Sequence, residues 1–210
     1  GLIAVVGLAA AASPVWATWS ILLVDTRTGE IAVGSATCLT DLDLQTRTPV
    51  LITGVGAATA QSFTDATQQN RTFIREALLR SVEPSVILTQ LEAFDSGHQT
   101  RQYGIVDVRG GRATFSGSQN GEYAGGLVGE FLDTSSGVPT RIVYAVQGNV
   151  ITGSAVNVEA VRRIIETSGD LAAKLMAGME GARAMGGDGR CSCTTGAPVD
   201  CGAPPSNFVK

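Results

Sequence analysis

Few side chains in this sequence could perform acid–base or nucleophilic chemistry, and Thr18 is the strongest candidate. His98 is the only histidine in the chain, which nearly excludes Ser-His-Asp catalysis and multi-histidine metal sites. A threonine hydroxyl needs a base, and in an N-terminal-threonine enzyme the free α-amine supplies it, with a reference pKa of about 7.7–8.0. Thr18 can therefore act as a nucleophile only if the chain is cut immediately before it.

The first 17 residues have the pattern of an export leader, and their removal would free that amine. Residues 2–12 form an apolar run that is too short to span a bilayer, since about 20 residues are needed. Val15 and Ala17 occupy the small-residue positions of a signal-peptide cleavage site. The sequence therefore predicts a secreted protein, extracellular or periplasmic, that begins at Thr18. In the alternative interpretation, the apolar segment stays attached as a helix or strand.

Several other polar residues are candidates for the surroundings of this nucleophile. Ser35 lies on the strand that is predicted to pair with the one carrying the threonine. Gln61, Gln147 and Asn149 place amides at strand ends, where they can donate hydrogen bonds to an oxyanion. Asp188 is a candidate for an ion pair near the site. Each also has a structural interpretation, as a strand hydroxyl, an amide satisfying loop backbone, or a solvated loop carboxylate.

Composition describes an ordinary globular chain and excludes some classes of function. At 210 residues, 44% hydrophobic and 16% charged, the chain can form one domain with a full core. The net charge of −4 and the pI near 5.0 argue against a nucleic-acid binder, which would show a basic face. The sequence predicts no cofactor, no metal site and no transmembrane span.

The cysteines agree with export into an oxidising compartment. Cys38 lies early in the chain, and Cys191, Cys193 and Cys201 cluster near its end. Four cysteines allow three pairings, of which we favour Cys193 with Cys201 and Cys38 with Cys191. A zinc site is the weaker alternative, because C-x-C-x7-C lacks the usual C-x2-C ligand pair.

Hydrophobic periodicity divides the chain into strands and paired helices. Alternating patterns predict strands and amphipathic patterns predict helices. The predicted strands are 18–25, 31–38, one or two within 49–61, 101–108, 112–116 and 141–147; the predicted helices are 65–81 (with Asp65 as N-cap), 84–94, 158–167 and 171–185; the predicted loops are 39–48 and 117–139.

Antiparallel hairpins combined with helices in pairs predict an α+β fold. Helix layers would cover a sheet or a sandwich of two sheets. We divide the chain into a leader (1–17), one domain (18–190), and a Cys- and Pro-rich tail (191–210) that has the character of a truncated extension.

Several segments, in order, resemble the DUF1028 family. They are TWSILLVD (18–25), TGEIAVGS (28–35), GVGA (54–57), TAQS (59–62), RQYGIVD (101–107), FSG (115–117), YAVQGN (144–149) and GGD (186–188). The resemblance covers about residues 18–190. It implies an αββα sandwich with an N-terminal-nucleophile (Ntn) hydrolase-like fold, and it implies no particular substrate.

Two functions of different classes follow from these observations. The first is a hydrolase of amide or related acyl bonds, with Thr18 as nucleophile and an unknown small molecule or peptide as substrate. The second is a non-catalytic extracellular structural or binding protein that self-assembles into a homo-oligomer or filament. The retained apolar segment 1–17 would mediate the assembly, because a large exposed apolar surface favours association with another chain.

Overall fold

Nine strands and five α-helices make up the part of the chain that the computed structural model describes, which is residues 18–39, 42–121, 123–135 and 137–190, with the backbone of 207–209. The strands are β1 Thr18–Asp25, β2 Ile31–Thr37, β3 Pro49–Ile52, β4 Gly56–Ser62, β5 Arg101–Asp107, β6 Arg112–Ser116, β7 Gly125–Asp133, β8 Thr140–Asn149 and β9 Asn207–Val209. The helices are α1 Leu44–Arg47, α2 Gln69–Leu79, α3 Pro84–Phe94, α4 Ser154–Glu166 and α5 Leu171–Ala184, with a 3₁₀ turn at His98–Thr100.

The strands form two antiparallel sheets, and β1 is central in the first. The first sheet has the order β7-β8-β1-β2, extended at one edge by β9, and the second has the order β3-β4-β5-β6. The predicted hairpin of residues 18–38 is confirmed, since Ile21 lies opposite Gly34 in an antiparallel register. The predicted hairpin at 101–116 is confirmed in the same way by the pairing of β5 with β6.

Three apolar clusters show that the sheets and helices stack in four layers. The first cluster joins β1 to α4 and α5 through residues such as Trp19, Ile164 and Leu175. The second joins β4 and β5 to α2 and α3, and the third lies between the two sheets. The predicted α+β sandwich, with antiparallel sheets covered by helix pairs, is therefore confirmed as an arrangement of layers.

Strand β1 is buried on both faces, and its alternation assigns each side chain to a layer. Trp19, Ile21 and Leu23 belong to the cluster under α4 and α5. Leu22 and Val24 belong to the cluster between the sheets. By the same alternation, Ser20 and Thr18 fall on the inter-sheet side of the strand.

The largest error of the sequence-based prediction is at residues 117–139, where the predicted loop contains the nine-residue strand β7. Side chains of the neighbouring strands lie close to two of its glycines, and the glycine content makes the strand resemble a loop in the sequence. A Cβ at Gly126 would lie 2.5 Å from Thr114 Oγ1, and a Cβ at Gly129 would lie 2.3 Å from Tyr144 Oη. The predicted loop at 39–48 is also interrupted, by the single turn of α1.

The start of α2 differs from its prediction as well. Its N-cap is Gln68 rather than Asp65. The Asp65 carboxylate nevertheless accepts a hydrogen bond from the Asn70 backbone N–H at 3.0 Å, so it satisfies one of the unpaired donors at that helix end from outside the helix. The Asn70 side chain, in the first turn of α2, is buried and donates hydrogen bonds to Asp95 and to the Tyr103 hydroxyl.

Three further observations concern the ends of the domain. The predicted leader 1–17 lies outside the described residues, and so do Cys191, Cys193 and Cys201 with the predicted disulfides that involve them. Strand β9 pairs with β2, opposite residues 35–37. Within the described residues, no helix has the length and apolar character needed to cross a membrane.

Candidate functional site

Thr18, Thr37 and Asn149 lie side by side at one end of the first sheet. Thr18 is the first residue of β1, and its Cα partner on β8 is Asn149. On the other side, the register of β1 with β2 pairs Trp19 with Ala36 and therefore brings Thr37 next to Thr18. Thr18, Thr37 and Asn149 are all buried. Residues far apart in the sequence thus meet around the candidate nucleophile.

The Asp188 carboxylate closes this end of the sheet. It accepts hydrogen bonds from the Cys38 backbone N–H at 3.0 Å and from Thr37 Oγ1 at 3.4 Å. Arg190 forms an ion pair with it at 2.9 Å, and Asp188 is 1% exposed. The pair with Arg190 is consequently built into the fold beside the Thr37–Thr18 row, and it is not a solvated loop pair.

Ser20 lies in the next row, between Ser35 of β2 and Gln147 of β8. The Ser20 and Ser35 hydroxyl oxygens are 2.7 Å apart. Ser35 therefore contacts Ser20, two residues along β1 from the candidate nucleophile. Gln147 Nε2 donates to Thr59 Oγ1 of the opposite sheet at 2.6 Å, so this amide spans the sandwich.

A buried network of glutamines connects the two sheets below Thr18. Ser20 Oγ donates to Gln61 Oε1, and Gln61 Nε2 donates to the Thr18 carbonyl at 2.9 Å and to Gln102 Oε1 at 2.7 Å. Gln102 Nε2 in turn donates to the Gly148 carbonyl at 2.7 Å. Every one of these groups is withdrawn from water, so each hydrogen bond is costly to break.

The layer between the sheets therefore changes character along β1. Near Val24 it is filled by aliphatic side chains such as Val33 and Val143. Toward Thr18 it is filled by hydroxyls and amides, of which Ser20, Gln61 and Gln102 are fully buried. A buried polar network specifies one arrangement of its members only when nearly all of them are paired. This end of the sandwich is consequently fixed by directional bonds rather than by apolar packing alone.

Backbone strain occurs immediately beside Asn149. Val150 has φ 51°, in the left-handed region that β-branched residues avoid, and such a conformation costs of order 1–3 kcal/mol. Hydrogen bonds hold it there, because the Val150 carbonyl accepts from Gly189 N–H at 2.8 Å and Ile151 exchanges two backbone bonds with Tyr123. Strained residues of this kind cluster at functional sites.

Two other features of the described residues are less suited to chemistry. A cleft of about 350 Å³ lies at the far end of β2 from Thr18, and Glu30 is the one ionisable residue in its lining. No group of three or more His, Cys, Asp or Glu side chains in the described part of the chain is placed to hold a metal ion.

His98, the one histidine of the chain, lies in the core and not on the surface. It is only 4% exposed and stacks on Phe115, with ring centroids 4.0 Å apart. Burial lowers the pKa of its imidazole, which keeps this side chain neutral in the core. Its neighbours belong to the second sheet and not to the surroundings of Thr18.

A sequence profile of DUF1028, a family of unknown function, matches residues 18–197. The chain belongs to the DUF1028 family. The match begins at Thr18, the first residue of β1. No curated protein matches the chain.

A solved structure of another DUF1028 protein has a similar fold. It is the crystal structure of protein SPO2555 from Silicibacter pomeroyi, with a TM-score of 0.64 and 21% sequence identity. The similarity covers 79% of this chain and 70% of the other. At this level of identity, the similarity concerns the fold.

The structure brings together most of the residues that the sequence singled out, in two rows. Thr18 and Asn149 share the first row with Thr37, and the Asp188 carboxylate accepts a hydrogen bond from Thr37 at its end. Ser35 and Gln147 lie in the second row, with Ser20 between them. Ser20, Thr37 and Gln102 also belong to these surroundings and were not predicted from the sequence. Every second side chain of β1 faces the layer between the sheets, and this alternation places Ser20 on the same face as Thr18. Nothing in the sequence indicated Gln102.

Proposed function

We propose that this protein is an Ntn-type hydrolase of amide or related acyl bonds, active after the bond between Ala17 and Thr18 is cleaved. Thr18 Oγ1 is the nucleophile in this proposal, and the freed α-amine of the same residue is the base. The proposal includes export of the protein, with the leader removed during that step.

One observation carries the proposal: Thr18 is the first residue of the central strand of an αββα sandwich. It lies at the end of the inter-sheet layer that is polar rather than aliphatic. A nucleophile at the start of a strand that is paired on both sides is held with little freedom, which lowers the entropic cost of reaching the transition state.

The chemistry balances with groups that Thr18 itself supplies. The α-amine takes the proton of Thr18 Oγ1, which attacks the acyl carbon and forms a tetrahedral oxyanion. Collapse of that intermediate breaks the acyl bond, the proton passes to the leaving group, and an ester remains on Oγ1. Water then attacks the ester while the α-amine takes its proton. Thr18 Oγ1 leaves and recovers a proton from the amine, which releases the acid. Donors for the oxyanion would come from the Asn149 amide or from nearby backbone N–H groups.

The surrounding residues act as positioning groups in this proposal. The Gln61 amide holds the Thr18 carbonyl, and the Asp188 carboxylate holds Thr37 beside it. Thr18 is only 1% exposed, so substrate reaches it only when whatever covers it moves away. Cleavage before Thr18 creates the base in this proposal.

A β-lactone probe tests the nucleophile without knowledge of the substrate. The hydroxyl of Thr18 should open the lactone ring and form an ester, so the intact mass should rise by the mass of the probe and peptide mapping should place the label on Thr18. The protein should be expressed with its leader, and the N-terminal residue of the isolated product should be determined in the same experiment.

Matched variants separate the role of Thr18 from general effects. Thr18→Ala should abolish labelling while the protein stays folded, and Thr18→Ser should retain it because the hydroxyl remains. Thr89→Ala, on the exposed face of α3, should label like the unaltered protein. An N-terminus at Thr18 combined with equal labelling of Thr18→Ala would contradict the proposal. An uncut chain that never labels would instead favour the non-catalytic, self-assembling alternative.

A further inference from the structure

The outer edge of β7 is the longest uncovered strand edge in the part of the chain that the structure describes. β7 has nine residues and ends the first sheet beside β8, whereas the edge strands β3, β6 and β9 have four, five and three residues. Proteins protect such edges with proline, with lysine or by keeping them short, and β7 has none of these features. The N–H and C=O groups along this edge are therefore available to another strand.

The charges on β7 are compensated within the chain. Its two charged residues are Glu130 and Asp133. Glu130 forms a salt bridge with Arg112 at 2.8 Å, and Asp133 forms one with Lys174 at 3.2 Å. An identical strand placed beside β7 would thus meet little electrostatic repulsion.

An apolar flank of α4 lies above this edge. α4 packs on β7 and β8, and α5 packs on β1 and β2. A Cβ at Gly181 of α5 would lie 2.7 Å from Arg163 Cγ, so the flank of α4 that carries Arg163 faces α5. At 3.6 residues per turn, Val158 and Ile165 project from the opposite flank, on the side of the open edge, and both are exposed. The helix therefore extends the edge of the sheet with apolar surface.

The Tyr144 hydroxyl also lies at this edge. Tyr144 is the partner of Gly129 in the register of β8 with β7, and a Cβ at Gly129 would collide with its Oη. The ring therefore extends over β7 at the middle residue of the strand. Within the described residues, no group forms a hydrogen bond with this hydroxyl, which can both donate and accept one. It is placed to bond a group on a second chain.

We propose that two copies of this chain dimerise through β7, which pairs antiparallel with β7 of the partner about a two-fold axis at Gly129. A two-fold axis perpendicular to the sheet keeps both helix layers on one side and pairs residues of the same face. Centred on Gly129, it pairs all nine residues of β7, and Leu127 lies opposite Phe131 of the partner subunit. Centred on Glu130, it would place two like charges opposite each other. The two Tyr144 hydroxyls then lie near the axis, where they can bond each other.

The shared surface is large enough for a specific dimer. At 3.4 Å per residue the edge of β7 is about 30 Å long, and one strand with one helix above it makes the surface about 20 Å deep. Each copy would bury about 600 Å², and the total of about 1,200 Å² lies at the lower end of specific interfaces. The ladder of backbone hydrogen bonds would join the two first sheets into one continuous sheet. This dimer does not depend on the proposed hydrolase activity.

Sedimentation equilibrium of the isolated chain tests the dimer. Leu127→Lys should raise the dimer Kd by at least about tenfold, because each dimer loses two apolar contacts and gains two edge lysines. Ile165→Lys should act in the same direction through the α4 flank. Leu79→Lys is the matched control, since it changes an exposed leucine of α2 in the other helix layer, and it should leave the Kd within about twofold. Tyr144→Phe should raise the Kd by about fivefold, for one lost hydrogen bond.

Hydrogen exchange locates the interface on β7. The outer N–H groups of this strand should exchange slowly in the dimer and rapidly in the Leu127→Lys monomer. A monomeric mass at about 100 μM chain, well above the Kd expected even for a weak specific dimer, would overturn the proposal. A dimer that Leu127→Lys leaves intact would also overturn it, because the copies would then associate through another surface, such as the apolar segment 1–17. An unchanged Kd for Tyr144→Phe would contradict the axis at Gly129.

Discussion

Replacing Gln61 by Leu should destabilise the protein by about 3 kcal/mol, since three buried hydrogen bonds at about 1 kcal/mol each are lost. Gln61 accepts from Ser20 and donates to the Thr18 carbonyl and to Gln102. Leucine has a similar volume, so the sheets should keep their spacing and a cavity should contribute little. The loss therefore isolates the contribution of the polar network at this end of the sandwich.

Urea unfolding with linear extrapolation measures the effect directly. The matched control is Gln90→Leu, which changes an exposed glutamine of α3 and should stay within about 0.5 kcal/mol of the unaltered protein. In thermal unfolding, Gln61→Leu should lower Tm by about 6–12 °C for a chain of this size. A loss below about 1 kcal/mol for Gln61→Leu, or a loss equal to that of the control, would refute the view that this network holds the two sheets together.

Two further predictions concern acid stability and backbone strain. Burial alone would raise the pKa of Asp95, but hydrogen bonds from Arg101, Asn70 and the Gly97 N–H lower it to about 2. Because the folded pKa is below the unfolded value of about 3.9, the stability that Asp95 contributes is complete above that value and is lost as the pH falls toward 2. Urea unfolding at several pH values should therefore show a shallower loss of stability between about pH 4 and 2 for Asp95→Asn, and an unchanged slope would contradict the assignment. Val150→Gly should stabilise the protein by up to about 1 kcal/mol, because glycine relieves the strain and loses part of the gain to chain entropy; a clear destabilisation would show that Val150 is not strained.

Local patterns were sufficient to predict elements in which each face of the strand or helix keeps to a single layer of the fold. The first hairpin is an example, since Trp19, Ile21 and Leu23 alternate with residues of the inner layer. Strand β7 could not be predicted in this way. Its glycines accommodate Thr114 and Tyr144, and that requirement arises from neighbouring strands, whereas in the sequence it resembles a turn-rich loop.

The candidate site was predictable only as far as it depends on strand ends. Thr18 and Asn149 were identified because each lies at the end of a predicted strand. Their pairing depends on β8 lying next to β1, which no local pattern determines. Contacts between distant segments follow from topology, and topology is not encoded in any one stretch of sequence.

The burial of Trp19 gives the protein a built-in optical probe of its own site. Trp19 directly follows Thr18 and is 1% exposed, and a Cβ at Gly187 would lie 2.9 Å from its ring. The only other tryptophan of the chain is Trp16, so a protein that begins at Thr18 has a single indole fluorophore. Its emission then reports on the packing of the segment that carries Asp188 and on any acyl group attached to the preceding residue, without an added dye. A stopped-flow fluorimeter could therefore follow cleavage of the leader and acylation of Thr18 as two separate changes in one signal.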